Sequence, residues 1–245
     1  MKDSALPGRV FLSAEWRHLV MLNYEVDPEF LASSVPRGTE LDSFGGKTFV
    51  SLVGFQFLRT RLLGILPIPF HSNFDEVNLR FYVRHQVEAT VRRGVVFIRE
   101  IVPRRAIAGV ARLVYGENYI RHPMRHAIMR NESSLRTEYQ WQLDGTWCCL
   151  CAEASGSPAH PAEGSLEQFI TEHYWGYTAR PRRESLEYHV THEPWRIWTA
   201  DTACFDGHAA ALCGPGFGSV LSRKPDSAFI AEGSAVQVFM GERIS

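Results

Sequence analysis

Short runs of β-branched and aromatic residues recur along the chain, and they constrain its fold more than any other feature. Such residues suit pleated strands, and many of the runs are separated by residues that favour turns. The seven clearest runs are 49–57, 79–84, 95–102, 146–154, 186–190, 195–199 and 235–240. The pattern predicts a mainly β protein with a few short helices and mostly antiparallel strands.

Three segments interrupt the strand pattern and predict short helices. Asp27 can cap a helix over 28–34, where proline takes the first helical position. An apolar stripe at helical spacing predicts a second helix over 104–115. A capping box of a serine and a glutamine opens a third helix over 166–175. All three are short beside the predicted strands.

Two glycine-rich stretches are candidates for a nucleotide-binding loop and a domain linker. Residues 214–219 resemble a phosphate loop but lack its lysine, so we interpret them as a glycine-rich turn. Residues 155–164 contain glycine, proline and serine, but the composition does not change after them, which favours a surface loop. The sequence therefore predicts a single domain over 1–245.

The charge balance excludes several classes of function. Lys and Arg total 26 against 27 Asp and Glu, a net charge of −1, whereas nucleic-acid-binding proteins are usually basic. Lysine occurs only at Lys2, Lys47 and Lys224. Because arginine neither forms a Schiff base nor loses its proton in proteins, chemistry based on an amine is nearly excluded.

Location and cofactors follow from features that the sequence lacks. The first residues contain no apolar signal segment, and no apolar run is long enough to cross a membrane, so we expect a cytoplasmic protein. The odd number of cysteines, 5, and the histidine spacings match no metal motif. We therefore expect buried, reduced thiols, no metal and no cofactor.

Ionisable and aromatic side chains concentrate in three segments, 73–80, 99–105 and 172–177. Alternation along 95–102 predicts Arg99 and Glu100 on opposite faces of a buried strand, with Arg99 on the face of Phe97. Arg104 and Arg105 would begin the second helix, where positive charge opposes the helix dipole. Either these arginines hold an anion or they lie on a solvated face, and local sequence favours neither alternative.

At these segments the chain resembles the DUF2071 family, a YqjF-like family of uncharacterised bacterial proteins. The resemblance is carried by 23–27, 49–55, 73–80, 96–105 and 169–177. That family in turn resembles acetoacetate decarboxylase. The resemblance implies an acetoacetate decarboxylase-like β-barrel flanked by helices.

The resemblance also implies a site. In acetoacetate decarboxylase one lysine forms an imine with the β-keto acid, and a neighbouring lysine lowers the pKa of its amine. Here the corresponding residues are Arg104 and Arg105, while the family's glutamate is retained as Glu76. The resemblance thus implies a small carboxylate ligand, an oxo- or hydroxy-acid, without Schiff-base chemistry. The side chains expected to contact it are Arg99, Glu100, Tyr115, Tyr119, His173 and Tyr177.

Three classes of function remain open. One is an enzyme with lyase-like or hydratase-like activity on small organic acids, another is a non-enzymatic small-molecule binding or sensing protein, and the third is a structural interaction scaffold. A cavity lined by Glu76 and by Arg104 or Arg105 would separate the first class from the third. The sequence is compatible with a homo-oligomer and does not decide the oligomeric state.

Overall fold

Long antiparallel strands form most of the structure. The structure is a computed structural model, and it describes residues 8–67, 72–103, 119–180 and 184–244. The strands are β1 (Val10–Val26), β2 (Glu40–Leu41), β3 (Thr48–Leu62), β4 (Leu66–Pro67), β5 (Phe74–Val87), β6 (Thr90–Val102), β7 (Tyr119–Arg121), β8 (Met124–Arg130), β9 (Ser134–Leu143), β10 (Thr146–Ser155), β11 (Trp175–Ala179), β12 (Ser185–His192), β13 (Ile197–Thr199), β14 (Thr202–Asp206), β15 (Ser227–Ala231), β16 (Ala235–Phe239) and β17 (Glu242–Ile244). The helices in these ranges are α1 (Pro28–Leu31), α2 (Leu166–Thr171), α3 (Ala209–Cys213) and α4 (Pro215–Leu221).

The larger sheet curls into a barrel-like form. Its strand order is β13-β15-β1-β16-β12-β11-β6-β5-β3-β4, and β1 also pairs antiparallel with β3, which brings distant strands of this order together. Nearly all pairings are antiparallel; β11 with β6 and β6 with β7 are parallel. The prediction of a mainly β, mostly antiparallel, acetoacetate decarboxylase-like architecture is confirmed, with a barrel-like sheet in place of a closed barrel.

A second sheet, in the order β14-β10-β9-β8, packs on the outer face of the barrel-like sheet. The core between the two sheets includes Leu52, Val77, Tyr139 and Leu150, all of which are buried. The two sheets approach each other closely at Gly54 of β3, where an added Cβ would lie 2.7 Å from Tyr139 Cδ2 and 3.0 Å from Leu150 Cδ2. The absence of a side chain at Gly54 therefore allows the sheets to pack.

The predicted helices have mixed outcomes. The segment 28–34 is helical as predicted: α1 begins after Asp27, whose side chain accepts from the backbone of Glu29, and a 3-10 turn follows. The helix predicted over 166–175 ends earlier, at Thr171, because Trp175 already pairs with β12 as the first residue of β11. The helix predicted over 104–115 lies outside the described residues.

The interpretation of 214–219 as a turn was wrong, because α4 occupies most of this segment. Gly214, with a φ of 102° that a residue without a side chain adopts readily, ends α3 and precedes the proline that begins α4. Phe217 of α4 packs against Phe30 with ring centroids 4.7 Å apart. This tertiary contact holds the helix despite its two internal glycines.

The single-domain organisation over 1–245 stays a prediction.

A β-bulge in β6 decides which side chains face the inside of the barrel-like sheet. Leu79 of β5 lies opposite Arg99, whereas the next residue, Arg80, lies opposite Phe97, so β6 carries one extra residue here. The extra residue shifts the alternation by one. Glu100 therefore shares the inner face with Phe97, and Arg99 points to the outer face. The two charged residues lie on opposite faces as predicted, but Glu100, and not Arg99, shares the face of Phe97.

We predict that Gly54→Ala destabilises the protein by about 1–3 kcal/mol, because the new methyl group would force the two sheets apart. Urea unfolding measures the change. Gly8→Ala is the matched control, since a Cβ there would meet Phe239 Cβ at an ordinary 3.9 Å. Equal unfolding midpoints for the two variants would contradict the packing explanation.

Candidate functional site

A cavity of about 160 Å³ lies within the curve of the barrel-like sheet. Most of its wall is apolar and aromatic. The ionisable side chains that line it are Glu76, Arg80, Glu100, Tyr119, His173, Tyr188 and His192. Such a cavity, largely apolar with a few convergent polar groups, is typical of a small-molecule site.

Alternation along β5 places three polar side chains in the cavity. Glu76, Asn78 and Arg80 line it together, whereas Val77 and Leu79 between them enter the core under the second sheet. Successive side chains of a strand point to opposite faces, so residues two apart share a face. The inner face of β5 is thus a polar row inside an apolar cavity.

Glu76 has a buried carboxyl group whose negative charge is only partly offset by its neighbours. It is 2% exposed, accepts a hydrogen bond from Asn78 Nδ2 at 3.0 Å and another from the Tyr119 hydroxyl at 3.4 Å. Burial raises the pKa of Glu76 to about 7, while these two hydrogen bonds and the charge of Arg80 act in the lowering direction. The carboxyl group therefore gains and loses its proton near neutral pH.

Arg80 supplies a positive charge that the described part of the chain does not neutralise. The residue is only 9% exposed, and its Nε has no hydrogen-bond partner among the described residues. Within those residues its guanidinium forms no ion pair, and its Cζ lies 5.9 Å from the ring centroid of Tyr82. A buried charge without a partner is unfavourable, so this side chain is suited to bind an anion.

Two histidines in the cavity wall are held neutral. Burial lowers the pKa of His173 and of His192 to about 4, and the charge of Arg80 acts in the same direction. His173 Nε2 lies 3.3 Å from Asp42 Oδ2, which also accepts from Arg93 Nε at 2.7 Å. Although burial acts to raise it, these two hydrogen bonds lower the pKa of Asp42 to about 2. A neutral His173 therefore donates to an ionised Asp42.

The structure brings four of the residues predicted from sequence to the cavity: Glu76, Glu100, Tyr119 and His173. Their functional roles stay predictions. Arg104, Arg105 and Tyr115, also predicted for the site, lie outside the described residues.

Two predicted contact residues lie away from the cavity. The β6 bulge turns Arg99 outward, where its Nε donates to the backbone oxygen of Leu212 at 3.0 Å. Tyr177 is fully buried in the core under the second sheet, and its hydroxyl donates to Glu187 Oε2 at 2.8 Å. Both side chains use their polar groups elsewhere, and neither lines the cavity.

Sequence reasoning missed Arg80 and Asn78 on β5 and His192 on β12. The signal for the first two was present, because Glu76, Asn78 and Arg80 are spaced two apart in one strand-like segment. His192 ends β12, and nothing local distinguishes it from the other histidines. Its place in the cavity depends on the pairing of β12 with β16.

Further findings concern membranes, metals and thiols. None of the helices in the described ranges is long and apolar enough to cross a membrane. The described residues contain no group of three or more His, Cys, Asp or Glu side chains placed to hold a metal ion. All five cysteines are free; Cys148 and Cys151 are buried as expected, but Cys204 is exposed because it lies on the short strand β14 at the edge of the second sheet.

The fold is that of acetoacetate decarboxylase-like proteins. The structure matches acetoacetate decarboxylase from Legionella pneumophila with a TM-score of 0.67 and 14% identity, covering 100% of this chain and 92% of that chain. It matches the enduracididine biosynthesis enzyme MppR complexed with pyruvate with a TM-score of 0.66 and 15% identity, covering 99% and 93%. An acetoacetate decarboxylase-like enzyme from Sphingomonas wittichii gives 0.64 and 12% identity, covering 96% and 93%. These identities show a shared fold alone.

The chain belongs to the DUF2071 family, described as an uncharacterized conserved protein, which it matches over residues 13–235. It is also similar to the uncharacterized protein YqjF of Bacillus subtilis (strain 168). The two are 25% identical over 203 residues, which cover 82% of this chain and 81% of YqjF. The resemblance seen in the sequence is thus confirmed at the level of family and fold.

We predict that Glu76 makes stability fall as pH rises. Its pKa, about 7 in the folded protein, lies above the ordinary value of 4.5, so the folded state holds the proton more tightly. This contribution is complete below pH 4.5 and is lost as pH rises through about 7. Glu76→Gln cannot ionise, so its urea midpoint relative to wild type should be higher at pH 8 than at pH 5.

The matched control for this prediction is Glu242→Gln, which removes an exposed carboxylate from β17. Its offset from wild type should be the same at both pH values. If the wild type and Glu76→Gln differ by a constant amount from pH 5 to pH 8, the raised pKa is wrong.

Proposed function

We propose that this protein binds a small carboxylate in the cavity and that Arg80 receives the carboxylate group. The observation that carries the proposal is the buried guanidinium of Arg80, which has no ion pair among the described residues. Hydrogen bonds between a guanidinium and a carboxylate are charge-assisted and frequently bidentate. A bound carboxylate would remove the cost of burying this charge.

The same geometry supports a role for Glu76 in proton transfer. An acid or base works best when its pKa lies near the working pH, and burial brings the pKa of Glu76 to about 7. We propose that Glu76 exchanges a proton with a ligand held by Arg80, in a lyase-like or hydratase-like reaction. Glu100, Tyr119 and His173 are proposed as ligand contacts. Arg104 and Arg105 are proposed as further cations of this site.

A small oxo- or hydroxy-acid is the proposed ligand class. MppR, which shares the fold, is known in complex with pyruvate. In this chain the Asn78 amide has a second N–H besides the one that it donates to Glu76, and this donor suits the oxygen of an oxo or hydroxyl group. A non-enzymatic binding or sensing protein would use the same cavity, and turnover of the bound acid separates the two alternatives. An interaction scaffold would need neither an unpaired cation nor a titrating carboxyl group in its interior.

We predict that carboxylate binding depends on Arg80. In a thermal-shift series with pyruvate, lactate and acetate, the wild type should melt at a higher temperature with ligand, whereas Arg80→Met should lose this response. The loss corresponds to about 1.5–3 kcal/mol for a charge-assisted contact. Without ligand, Arg80→Met should be at least as stable as wild type, because it replaces an uncompensated buried charge by an apolar side chain.

Arg84→Met provides the matched control on the same strand. Arg84 is exposed and pairs with Glu40, with 2.9 Å between Nε and Oε1, so its replacement should leave the ligand response unchanged. If no carboxylate stabilises the wild type, the proposed function is wrong. If Arg80→Met responds like wild type, Arg80 is not the anchor.

We predict that the protein forms no imine. Lys47 lies beside a tight turn, where its Nζ is 2.7 Å from Glu25 Oε2. The hydrogen bond and charge of Glu25 raise the pKa of Lys47, so its amine is protonated and a poor nucleophile. Treatment with acetoacetate and borohydride should therefore leave the mass of the protein unchanged. A specific adduct on Lys47, found by peptide mass spectrometry, would contradict this prediction.

A further inference from the structure

The cavity is larger and more apolar than recognition of a carboxylate requires. Its volume is about 160 Å³. Apolar protein cavities of about 150 Å³ accept a molecule of the size of benzene. A two- or three-carbon acid bound to Arg80 would leave most of this space empty, which is unfavourable beside apolar walls. The volume therefore indicates a ligand with an apolar body of about one ring.

A cluster of aromatic rings forms the wall that such a body would contact. Trp16 meets Phe57 edge to face, with ring centroids 5.9 Å apart, and meets Trp195 in the same way at 6.2 Å. Phe57 stacks on Phe74 at 4.6 Å, and Trp195 stacks on His192 at 4.3 Å. All five residues line the cavity. Aromatic walls favour flat apolar groups, which make stacked or edge-to-face contacts with them.

The described lining residues provide one partner for a ligand carboxylate. Among the lining residues that the structure describes, Arg80 is the one cation, and the two carboxyl residues are Glu76 and Glu100. The imidazoles of His173 and His192 are neutral, because burial lowers the pKa of each to about 4. The carboxylate of the ligand therefore has its described partner in Arg80, and the aromatic cluster remains for the rest of the ligand.

We infer that the preferred ligand is a carboxylate with a flat apolar body of about one aromatic ring. Its carboxylate binds Arg80, and its body packs against Trp16, Phe57 and Trp195. The inference rests on the proposed function and narrows its ligand class. It disfavours the smallest acids.

Calorimetric titration of the full chain at pH 7 tests this inference with three matched probes. Phenylacetate should bind at least about tenfold more tightly than acetate, because the ring removes its apolar surface from water. Phenylacetamide has nearly the same shape without the charge, and we expect its affinity to be about tenfold lower than that of phenylacetate.

Variants of the aromatic wall separate the contribution of the ring from that of the charge. Phe57→Leu should weaken phenylacetate binding several-fold and leave acetate unchanged, and Trp195→Phe is the second variant if Phe57→Leu does not fold. Phe205→Leu is the control, since Phe205 stacks on Trp141 in the second sheet, away from the cavity. This control should leave the affinity for both acids unchanged.

The possible outcomes distinguish this inference from the proposal beneath it. Equal affinity for acetate and phenylacetate, lost in both cases in Arg80→Met, overturns the inference and leaves carboxylate binding intact. Equal affinity for phenylacetate and phenylacetamide, unchanged in Arg80→Met, overturns carboxylate recognition itself. Failure of every acid to bind overturns both proposals.

Discussion

The burial of ionisable groups on the inner face of β5 is the constraint on which the rest of the site depends. Glu76, Asn78 and Arg80 point into a cavity whose other walls are largely aromatic. Burial removes these groups from bulk water, which penalises the charged form of each group. The raised pKa of Glu76 and the unpaired guanidinium of Arg80 are two results of the same burial. A ligand bound in the cavity would account for both features.

The shared fold and the site lead to different conclusions about chemistry. The barrel-like sheet is that of acetoacetate decarboxylase-like proteins, but a fold at 14% identity does not carry an activity with it. In the described cavity the cation is an arginine on β5, and arginine binds carboxylates without forming an imine. Arg80 and Glu76 are therefore the groups on which the proposed binding of an acid and the proposed proton transfer depend.

Several elements escaped sequence reasoning for identifiable physical reasons. The longest strand, β1, was not among the predicted runs, since its pairing with β3 shifts register between Ser13 and Glu15 and again between Arg17 and Val20, and each shift breaks the alternation of side chains. The helix α4 contains glycines that locally favour a turn and is held by the contact of Phe217 with Phe30. The second sheet was missed as a unit, although buried and half-buried residues alternate strictly along its strand β9, a local signal that sequence reasoning overlooked.

The sequence by itself determined the strand-rich architecture, the family and the presence of Glu76, because β-branched runs and contiguous motifs are local properties of the chain. The scarcity of lysine likewise follows from composition alone. Only the tertiary structure decided which charges enter the cavity. One extra residue in β6 exchanged the faces of Arg99 and Glu100, and the curl of the sheet brought His173 and His192 to the same cavity as Arg80. Register and sheet closure are long-range properties, since they depend on hydrogen bonds between strands far apart in sequence.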